Sequence, residues 1–267
     1  MGAFVDLDTA VAVITGAGSG IGRATALALA RRGSRIVVTD VDEPRAAAVA
    51  TEIVAAGGAA IAVPCDVARL RDLELVRDAA LERFGQVDVV MNNVGVMVLG
   101  PVELIPLDEW LRVIDVNLVG IVRSNLVFLP LLLEQGRGHV VNTASLAGLL
   151  PYGYDRLPYT TTKHAVVGLS ESLALYLRPK GIGVSCVCPA GVATNITEQM
   201  RFFGSSTTPR SPKLPVVDAD VVGELVADAI AKGGFLVLTT PEVGEELVEH
   251  ARDLDGYLEA RSRGSDG

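Results

Sequence analysis

A tyrosine and a lysine stand four residues apart in this sequence, at Tyr159 and Lys163, within a segment that has a helical pattern. Residues four apart lie on the same face of a helix, so the ammonium group is expected beside the phenol. A nearby cation favours the charged form of tyrosine, whose ordinary pKa is about 10. A phenolate there can remove the proton of an alcohol while a hydride leaves its carbon. The pair alone is weak evidence, because a chance Tyr-x-x-x-Lys occurs in roughly one such chain in fifteen.

A glycine-rich turn directly after the first predicted strand is typical of a nucleotide site. Residues 15–22 read Thr-Gly-Ala-Gly-Ser-Gly-Ile-Gly and lead into a helical pattern. Glycines at positions 16, 20 and 22 allow a sharp turn, close approach to a pyrophosphate and tight packing of the helix, whose N-terminus supplies amides. The alternative is a glycine-rich turn without a ligand.

A carboxylate closes the second predicted strand, at Asp40. In this position it can accept hydrogen bonds from both hydroxyls of an adenosine ribose. A 2′-phosphate would meet its charge at a cost on the order of 4 kcal/mol, for a separation of about 4 Å and an effective dielectric constant of about 20. Neither Ser19 nor Val41 offers a compensating cation. The residues predict NAD(H) rather than NADP(H), unless Asp40 only caps the following helix.

Strand and helix patterns alternate along the whole chain. Seven short, apolar segments are predicted as strands: 11–15, 35–39, 60–64, 87–92, 139–143, 183–187 and 235–238. Six longer segments have helical patterns: 21–32, 44–56, 70–84, 107–134, 158–177 and 219–231. Nearly continuous apolar strands are typical of a parallel sheet that is covered on both faces. We therefore predict an α/β fold, a single Rossmann-like, doubly wound domain with a mainly parallel seven-stranded sheet and helices on both faces.

Composition excludes several classes of protein. The chain has 267 residues, 49% of them hydrophobic, and a net charge of -9 from 23 basic and 32 acidic side chains. The acidic balance argues against binding to nucleic acid, and the hydrophobic fraction argues against disorder. The three cysteines and three histidines lack the spacing of metal ligands, so no metal site is predicted. Three cysteines are also too few for a disulfide framework, which favours a reducing, cytoplasmic location. The most apolar run, 126–133, is too short to cross a membrane, and the start of the chain shows no secretory or lipid signal.

No shift in composition marks a domain boundary, so residues 1–267 are expected to form one dinucleotide-binding and catalytic domain. Segment 195–215 contains three prolines and is predicted to be an irregular lid over the substrate. The polar tail 261–267 is expected to be disordered.

Together these motifs resemble those of the short-chain dehydrogenase/reductase family, over residues 15 to about 238. The family's glycine motif matches 15–22, its Asn-Asn-Ala-Gly motif appears as Asn-Asn-Val-Gly at 92–95, and its Tyr-x-x-x-Lys motif matches 159–163. Its helix asparagine corresponds to Asn117 and its serine to Ser145. Ala190 replaces a family glycine, and the 14-residue step from Ser145 to Tyr159 is one longer than usual.

The resemblance implies a catalytic tetrad of Asn117, Ser145, Tyr159 and Lys163. Tyr159 would act as general acid and base, Ser145 would bond the reacting oxygen, and Asn117 would hold a water that links Lys163 to solvent. Tyr154 is a rival base, but Pro158 follows it four residues later and supplies no cation. The cofactor would contact Gly16, Ser19, Gly20, Ile21, Gly22, Asp40, Val41, Asp66, Val67, Asn93, Gly95, Tyr159, Lys163, Pro189, Val192 and Thr194. Asp66 would contact adenine. The resemblance also implies that the long helices 107–134 and 158–177 pair between subunits, to form a homotetramer or homodimer.

Three mainly apolar segments should line the substrate pocket: 94–99, 149–157 and the lid near Met200, Phe202 and Phe203. Tyr152, Tyr154 and Arg156 are possible polar contacts within it. The substrate is therefore predicted to be an apolar secondary alcohol or its ketone, such as a cyclic, terpenoid, steroid-like or aromatic one. The alternatives are an NADPH-dependent ketoreductase, for example one acting on 3-oxoacyl thioesters, and a dinucleotide sensor without catalytic activity.

Overall fold

Seven parallel strands form one central sheet in the computed structural model, which describes residues 4–204 and 214–263. The described residues form eleven strands in all, of which β5, β8, β9 and β10 lie outside this sheet: β1 (Val11–Thr15), β2 (Arg35–Asp40), β3 (Ala60–Pro64), β4 (Val89–Asn92), β5 (Met97–Leu99), β6 (Gly138–Thr143), β7 (Ile182–Cys188), β8 (Val192–Ala193), β9 (Met200–Phe202), β10 (Val217–Asp218) and β11 (Leu236–Leu238). The helices are α1 (Gly20–Arg31), α2 (Glu43–Ala55), α3 (Leu70–Phe84), α4 (Leu107–Ile114), α5 (Gly120–Gln135), α6 (Leu157–Leu177), α7 (Ala219–Lys232), α8 (Val243–Arg252) and α9 (Leu254–Arg263).

The strand order confirms the predicted doubly wound α/β fold. The sheet runs β11-β7-β6-β4-β1-β2-β3, and every neighbouring pair is parallel. The chain moves outward from β1 to β3 and then returns to place β4 on the other side of β1. In open sheets of this kind, ligands bind outside the carboxyl ends of the strands where the order reverses. The expected site therefore lies at the ends of β1 and β4.

Two apolar layers enclose the sheet and fix its position. On one face α1, α2 and α7 pack on the strands, and on the other α3, α5 and the end of α6 do so. Helices α1 and α7 approach closely: a Cβ on Gly223 would lie 2.6 Å from the backbone oxygen of Ala24. Every residue of β1 and β7 is buried, as continuous apolar strands between two layers require.

The structure departs from the predicted elements in several places, among them the short strands β5, β8 and β10, which were not predicted. The predicted helix 107–134 is interrupted by a π-helical turn, Asp115–Val119, between α4 and α5. The expected irregular lid contains β9, which pairs with β5, whereas residues 205–213 lie outside the described part of the chain. Helices α8 and α9 were not predicted, and α9 includes residues 261–263, which were expected in a disordered tail. Residues 264–267 are not described.

The helical run Leu107–Gln135 is long and apolar enough to cross a membrane by length and composition. In the fold, however, its residues Val127, Phe128 and Leu132 are buried in the layer beneath the sheet. One face of this run is thus part of the core of the α/β domain.

Candidate active site

The glycine-rich turn between β1 and α1 has a backbone shape that only glycine adopts easily. Gly16 and Gly20 have φ angles of +64° and +53°. A Cβ on Gly22 would overlap the carbonyl oxygen of Gly16. The turn is held to the end of β4, because the Asn93 side-chain amide donates to the Gly16 oxygen at 3.3 Å and its backbone N–H donates to Thr15 Oγ1 at 3.0 Å. The turn therefore disfavours side chains at its glycine positions, and backbone without side chains is available there to a ligand.

Asp40 lies against this turn. Its Oδ2 accepts a hydrogen bond from the Gly18 N–H at 3.0 Å, and its Oδ1 accepts one from the Asp42 N–H at 3.0 Å. The cap of helix α2 is Asp42, which accepts from the Arg45 N–H at 3.1 Å. The alternative interpretation of Asp40 as the helix cap is wrong. Val41, 73% exposed, offers no charge, as expected.

A cation that the sequence interpretation missed lies next to Asp40. Arg45 passes over the turn, where a Cβ on Gly18 would lie 2.8 Å from its Cβ. Its guanidinium pairs with Asp42 at 3.2 Å and with Glu198 at 2.8 Å. Arg45 contacts the turn only because α2 packs beside β2. The prediction from the sequence considered only positions 19 and 41 for a compensating cation and therefore missed Arg45.

A cavity of about 410 Å³ opens on the glycine turn. It is lined by Gly18, Ser19, Gly20, Arg23, Arg45, Ala193 and Ala219. Thr194 also reaches the turn, since a Cβ on Gly20 would lie 3.1 Å from that of Thr194. The volume is in the range of small-molecule sites, and glycines, a helix N-terminus and a carboxylate are the groups that hold a nicotinamide dinucleotide. The residues present therefore fit such a cofactor.

The other residues assigned to the cofactor are distributed around this edge of the sheet. Ile21 packs into the core, and Val67 packs against Gly120 of α5. The Asp66 carboxylate accepts from the Ala68 N–H at 3.0 Å. On the other side, the Pro189 oxygen accepts from the Leu146 N–H at 2.8 Å.

Val192 forms part of β8, which pairs with β10. Ala190 stands at a position where the family has a glycine. It fits without backbone strain, because no described residue other than glycine has a positive φ. Its N–H donates to Thr239 Oγ1 at 3.0 Å.

Ser145, Tyr159, Lys163 and Asn117 are all buried and converge at the carboxyl ends of β4 and β6. Lys163 Nζ donates to the Thr143 carbonyl oxygen at 2.7 Å and lies 5.5 Å from the centre of the Tyr159 ring. A Cβ on Gly95 would lie 3.4 Å from Lys163 Nζ, so the small residue leaves space beside the ammonium group. Ser145 Oγ accepts from the Ala147 N–H at 3.1 Å. The structure thus brings the four predicted residues together.

Asn117 lies within the π-helical turn, and both donors of its side-chain amide are used by the protein. Its Oδ1 accepts from the Val96 N–H at 2.8 Å, and its Nδ2 donates to the Val96 oxygen at 3.0 Å and to Thr162 Oγ1 at 3.2 Å. These bonds hold the loop after β4 against α6. Its side chain is a clamp on this loop, and any contact with a water must use the remaining acceptor capacity or the backbone.

Burial dominates the electrostatics of the cluster. It raises the pKa of the Tyr159 hydroxyl, and a hydrogen bond with Ser145 and the charge of Arg156 only partly oppose this rise. Burial also lowers the pKa of Lys163 to about 8, against the opposing effect of the Cys186 and Cys188 thiols. The prediction that Lys163 favours the phenolate therefore stays a prediction, because in the protein alone burial outweighs the charges near Tyr159. Arg156, three residues before Tyr159, is a cation whose charge opposes this rise.

An apolar cluster surrounds Tyr159 on the substrate side. Met97, Leu99 and Ala147 are buried with it, and two partly buried residues of the lid, Ile196 and Met200, pack against them. The β5–β9 pairing joins Met97 to Met200 and so brings the first part of the lid to the site. Phe203 instead packs with Val98 on a neighbouring cluster.

Comparisons with known proteins agree with this geometry. The sequence model of the short chain dehydrogenase family matches residues 10–202. The chain is 40% identical to the cyclohexanol dehydrogenase of an Acinetobacter species, over 69% of this chain and 73% of that protein. It is 36% identical to the 3-oxoacyl-[acyl-carrier-protein] reductase of a Synechocystis species, over 73% of this chain and 78% of that one. A Burkholderia phymatum short chain dehydrogenase/reductase in complex with NAD has a TM-score of 0.84 and 36% identity, covering 94% of this chain and 96% of that chain.

Replacing Lys163 with methionine should change how stability depends on pH. Because burial lowers the pKa of Lys163 to about 8 from its ordinary 10.5, the unfolded chain binds more protons than the folded protein between these values. The free energy of unfolding of the wild type should therefore rise by up to about 3 kcal/mol relative to Lys163→Met as the pH rises from about 8 to 10.5. Urea unfolding at several pH values measures this difference.

The control is Lys180→Met, which removes an exposed ammonium group and should show no such pH dependence. A difference between wild type and Lys163→Met that stays constant from pH 7 to 10 would contradict the assigned burial of the charge.

Proposed function

The chain belongs to the short-chain dehydrogenase/reductase family, and we propose that it interconverts an apolar secondary alcohol and its ketone with NAD(H). It is an oxidoreductase acting on CH–OH groups with a nicotinamide dinucleotide. One observation carries the proposal: the buried cluster of Ser145, Tyr159 and Lys163 lies at the same edge of the sheet as the glycine turn and Asp40.

The preference for NAD(H) rests on the Asp40 carboxylate. In this proposal the oxygens beside the glycine turn accept from the adenosine ribose, and their charge disfavours a 2′-phosphate. Asp66 and Val67 would lie near adenine, Asn93 and Gly95 near the nicotinamide ribose, and Pro189, Val192 and Thr194 near the nicotinamide. When bound, the cofactor accepts or supplies the hydride and, in its oxidised form, adds a positive charge. The relative from Burkholderia phymatum, which is in complex with NAD, supports this choice.

Tyr159 would carry the proton of the reaction. During oxidation its phenolate takes the proton of the alcohol oxygen, while Ser145 Oγ donates to that oxygen and holds it in place. Because burial raises the pKa of Tyr159, the phenolate needs nearby positive charge, which Arg156 and Lys163 provide within the protein. The proton then passes toward Lys163 and solvent. In ketone reduction the same steps run in reverse.

The substrate is proposed to be apolar and of moderate size. Around Tyr159 the wall consists of Met97, Leu99, Ala147 and Met200, which offer no charge to a ligand. Such walls bind hydrocarbon skeletons through burial of apolar surface. The similarity to a cyclohexanol dehydrogenase supports a cyclic alcohol.

A second candidate function is an NADPH-dependent ketoreductase, including one that acts on 3-oxoacyl thioesters. Arg45 favours it, because its charge interacts with that of Asp40 and could offset part of the repulsion of a 2′-phosphate. The similarity to a 3-oxoacyl-[acyl-carrier-protein] reductase also supports it. A sensor without catalytic activity would not need the four converging residues Asn117, Ser145, Tyr159 and Lys163, and is disfavoured on that ground.

A homotetramer or homodimer is proposed from the surface of α5 and α6. The groove between these helices has a volume of about 540 Å³ and is lined mainly by apolar side chains. Leu126, 66% exposed in the single chain, and Leu129, Leu133 and Leu173 line it. Apolar patches of this kind commonly mark subunit contacts.

A cytoplasmic location is proposed as well, since Cys65, Cys186 and Cys188 are free thiols.

Replacing Leu126 with aspartate should dissociate the assembly, because it puts a charge into an apolar contact. Light scattering at micromolar concentration should give an oligomer for the wild type and a smaller species for Leu126→Asp. The control is Val54→Asp, on the exposed side of α2, which should leave the mass unchanged. A monomeric wild type would reject this proposal.

Replacing Tyr159 with phenylalanine should abolish turnover but leave NADH binding intact, because only the hydroxyl that carries the proton is lost. A panel of alcohols and ketones, read by NADH absorbance, should show a loss in kcat of at least about 100-fold. The control is Tyr154→Phe, which removes the hydroxyl of the rival base, a residue that is 52% exposed, and should remain active. Undiminished activity of Tyr159→Phe would refute the assigned base.

Replacing Asp40 with asparagine should shift cofactor preference toward NADP(H). The amide keeps an oxygen that can accept from the Gly18 N–H but removes the charge. We expect kcat/KM with NAD to exceed that with NADP in the wild type, and the ratio to fall by at least about 10-fold in Asp40→Asn. The control is Asp42→Asn, which keeps a good helix cap and removes a charge two residues away. Equal efficiency of the two cofactors in the wild type would contradict the role given to Asp40.

A further inference from the structure

A buried guanidinium group lies next to the proposed general base. Arg156 is 8% exposed and stands three residues before Tyr159, at the start of α6. Residues three apart on a helix are neighbours, and the charge of Arg156 acts on the Tyr159 hydroxyl. The backbone on this side is fixed to the substrate wall, because the Gly100 N–H at the end of β5 donates to the Asp155 oxygen at 2.7 Å. The start of α6 is therefore tied to the end of β5, next to the proposed substrate wall, and the charge of Arg156 acts there on Tyr159.

The hydrogen bonds of this guanidinium are incomplete. Its Nε donates to Asp155 Oδ1 at 2.9 Å, whereas its Nη2 is buried and has no hydrogen-bond partner. A buried donor on a cation that lacks an acceptor is costly, and such groups in native proteins usually have a partner. Asp155 orients the guanidinium through one nitrogen and leaves the adjacent donor for another acceptor. Arginine presents its donors in a planar fork that suits carbonyl and carboxylate oxygens.

The other polar side chains predicted for this wall are directed elsewhere. The Tyr152 hydroxyl donates to Glu246 of α8 at 3.2 Å, and the Arg261 guanidinium lies 5.0 Å from the centre of its ring. Tyr154 is 52% exposed at the surface. Among the described residues of segment 149–157, Arg156 is thus the buried polar side chain next to Tyr159.

We propose that Arg156 donates to a second oxygen of the substrate, so that the preferred substrates are ketones and alcohols with a carbonyl or carboxylate oxygen beyond the reacting carbon. This rests on the proposed function and narrows its substrate class. The apolar wall around Met97 and Leu99 binds the carbon skeleton. Ser145 and Tyr159 bind the reacting oxygen. Arg156 binds the second oxygen of the substrate and so fixes the orientation of the molecule. Specificity of this kind can be large, because a substrate without that oxygen leaves the buried donor unpaired.

The test compares three ketones with the same ring: cyclohexanone, 1,4-cyclohexanedione and 4-oxocyclohexanecarboxylate. We expect wild-type kcat/KM for at least one of the two oxygen-bearing ketones to exceed that for cyclohexanone by about 10-fold or more, mainly through KM. The dione and the carboxylate distinguish a neutral acceptor from an anionic one. In Arg156→Met the preference should disappear, and in Arg156→Lys, which keeps the charge but not the planar fork, it should weaken.

Ratios between ketones within one variant separate recognition from a general effect on Tyr159, because a change in the pKa of the phenol affects all three substrates equally. The matched control is Arg112→Met: Arg112 also has a buried Nη2 without a partner, but it lies on α4 and pairs with Glu109. This variant should keep the wild-type ratios.

Two results would overturn the proposal. One is a wild type without preference for either oxygen-bearing ketone, a measurement that needs no variant. The other is an unchanged preference in Arg156→Met. Absence of turnover of every ketone with both NADH and NADPH would instead refute the proposed function itself.

Discussion

The bond from the Lys163 ammonium group to the Thr143 carbonyl oxygen is the contact around which the site is built. It joins α6 to the carboxyl end of β6 at 2.7 Å, inside a region from which water is largely excluded. Burying an ammonium group is unfavourable, and the lowered pKa of Lys163, about 8, reflects this cost. The bond sets the height of α6 along the sheet and therefore the position of Tyr159, one turn earlier. Gly95 and the Asn117 clamp complete the space around it.

The second constraint is the lack of side chains at the glycine turn. Gly16, Gly20 and Gly22 let the first helix begin directly beneath the ends of the strands, and Asn93 holds the turn to β4. Because β1 and β4 are neighbours at the reversal of strand order, the turn and the Lys163 cluster lie at one edge. The fold therefore positions the proposed nucleotide site and the proposed proton-transfer site side by side.

Most of the fold could be predicted from the sequence, because buried parallel strands are continuous apolar runs separated by long helical patterns. The tetrad could be predicted from motif spacing and family resemblance together. Contacts between distant segments could not be predicted in this way. The β5–β9 pairing joins three-residue strands about 100 positions apart, a separation over which no local pattern acts. Similarly, the approach of Arg45 to Asp40 depends on the packing of α2. Arg156 could have been noticed from its spacing to Tyr159, but its burial and unpaired Nη2 are visible only in the folded chain.

The central claim is that this site transfers a hydride between an alcohol carbon and a nicotinamide cofactor while Tyr159 handles only the proton. Oxidation of cyclohexanol that carries deuterium on its carbinol carbon, with NAD as the oxidant, tests this most directly. The account predicts that the reduced cofactor gains the deuterium, as detected by mass spectrometry, and that none is released to water. Appearance of the label in solvent, with an unlabelled reduced cofactor, would contradict it.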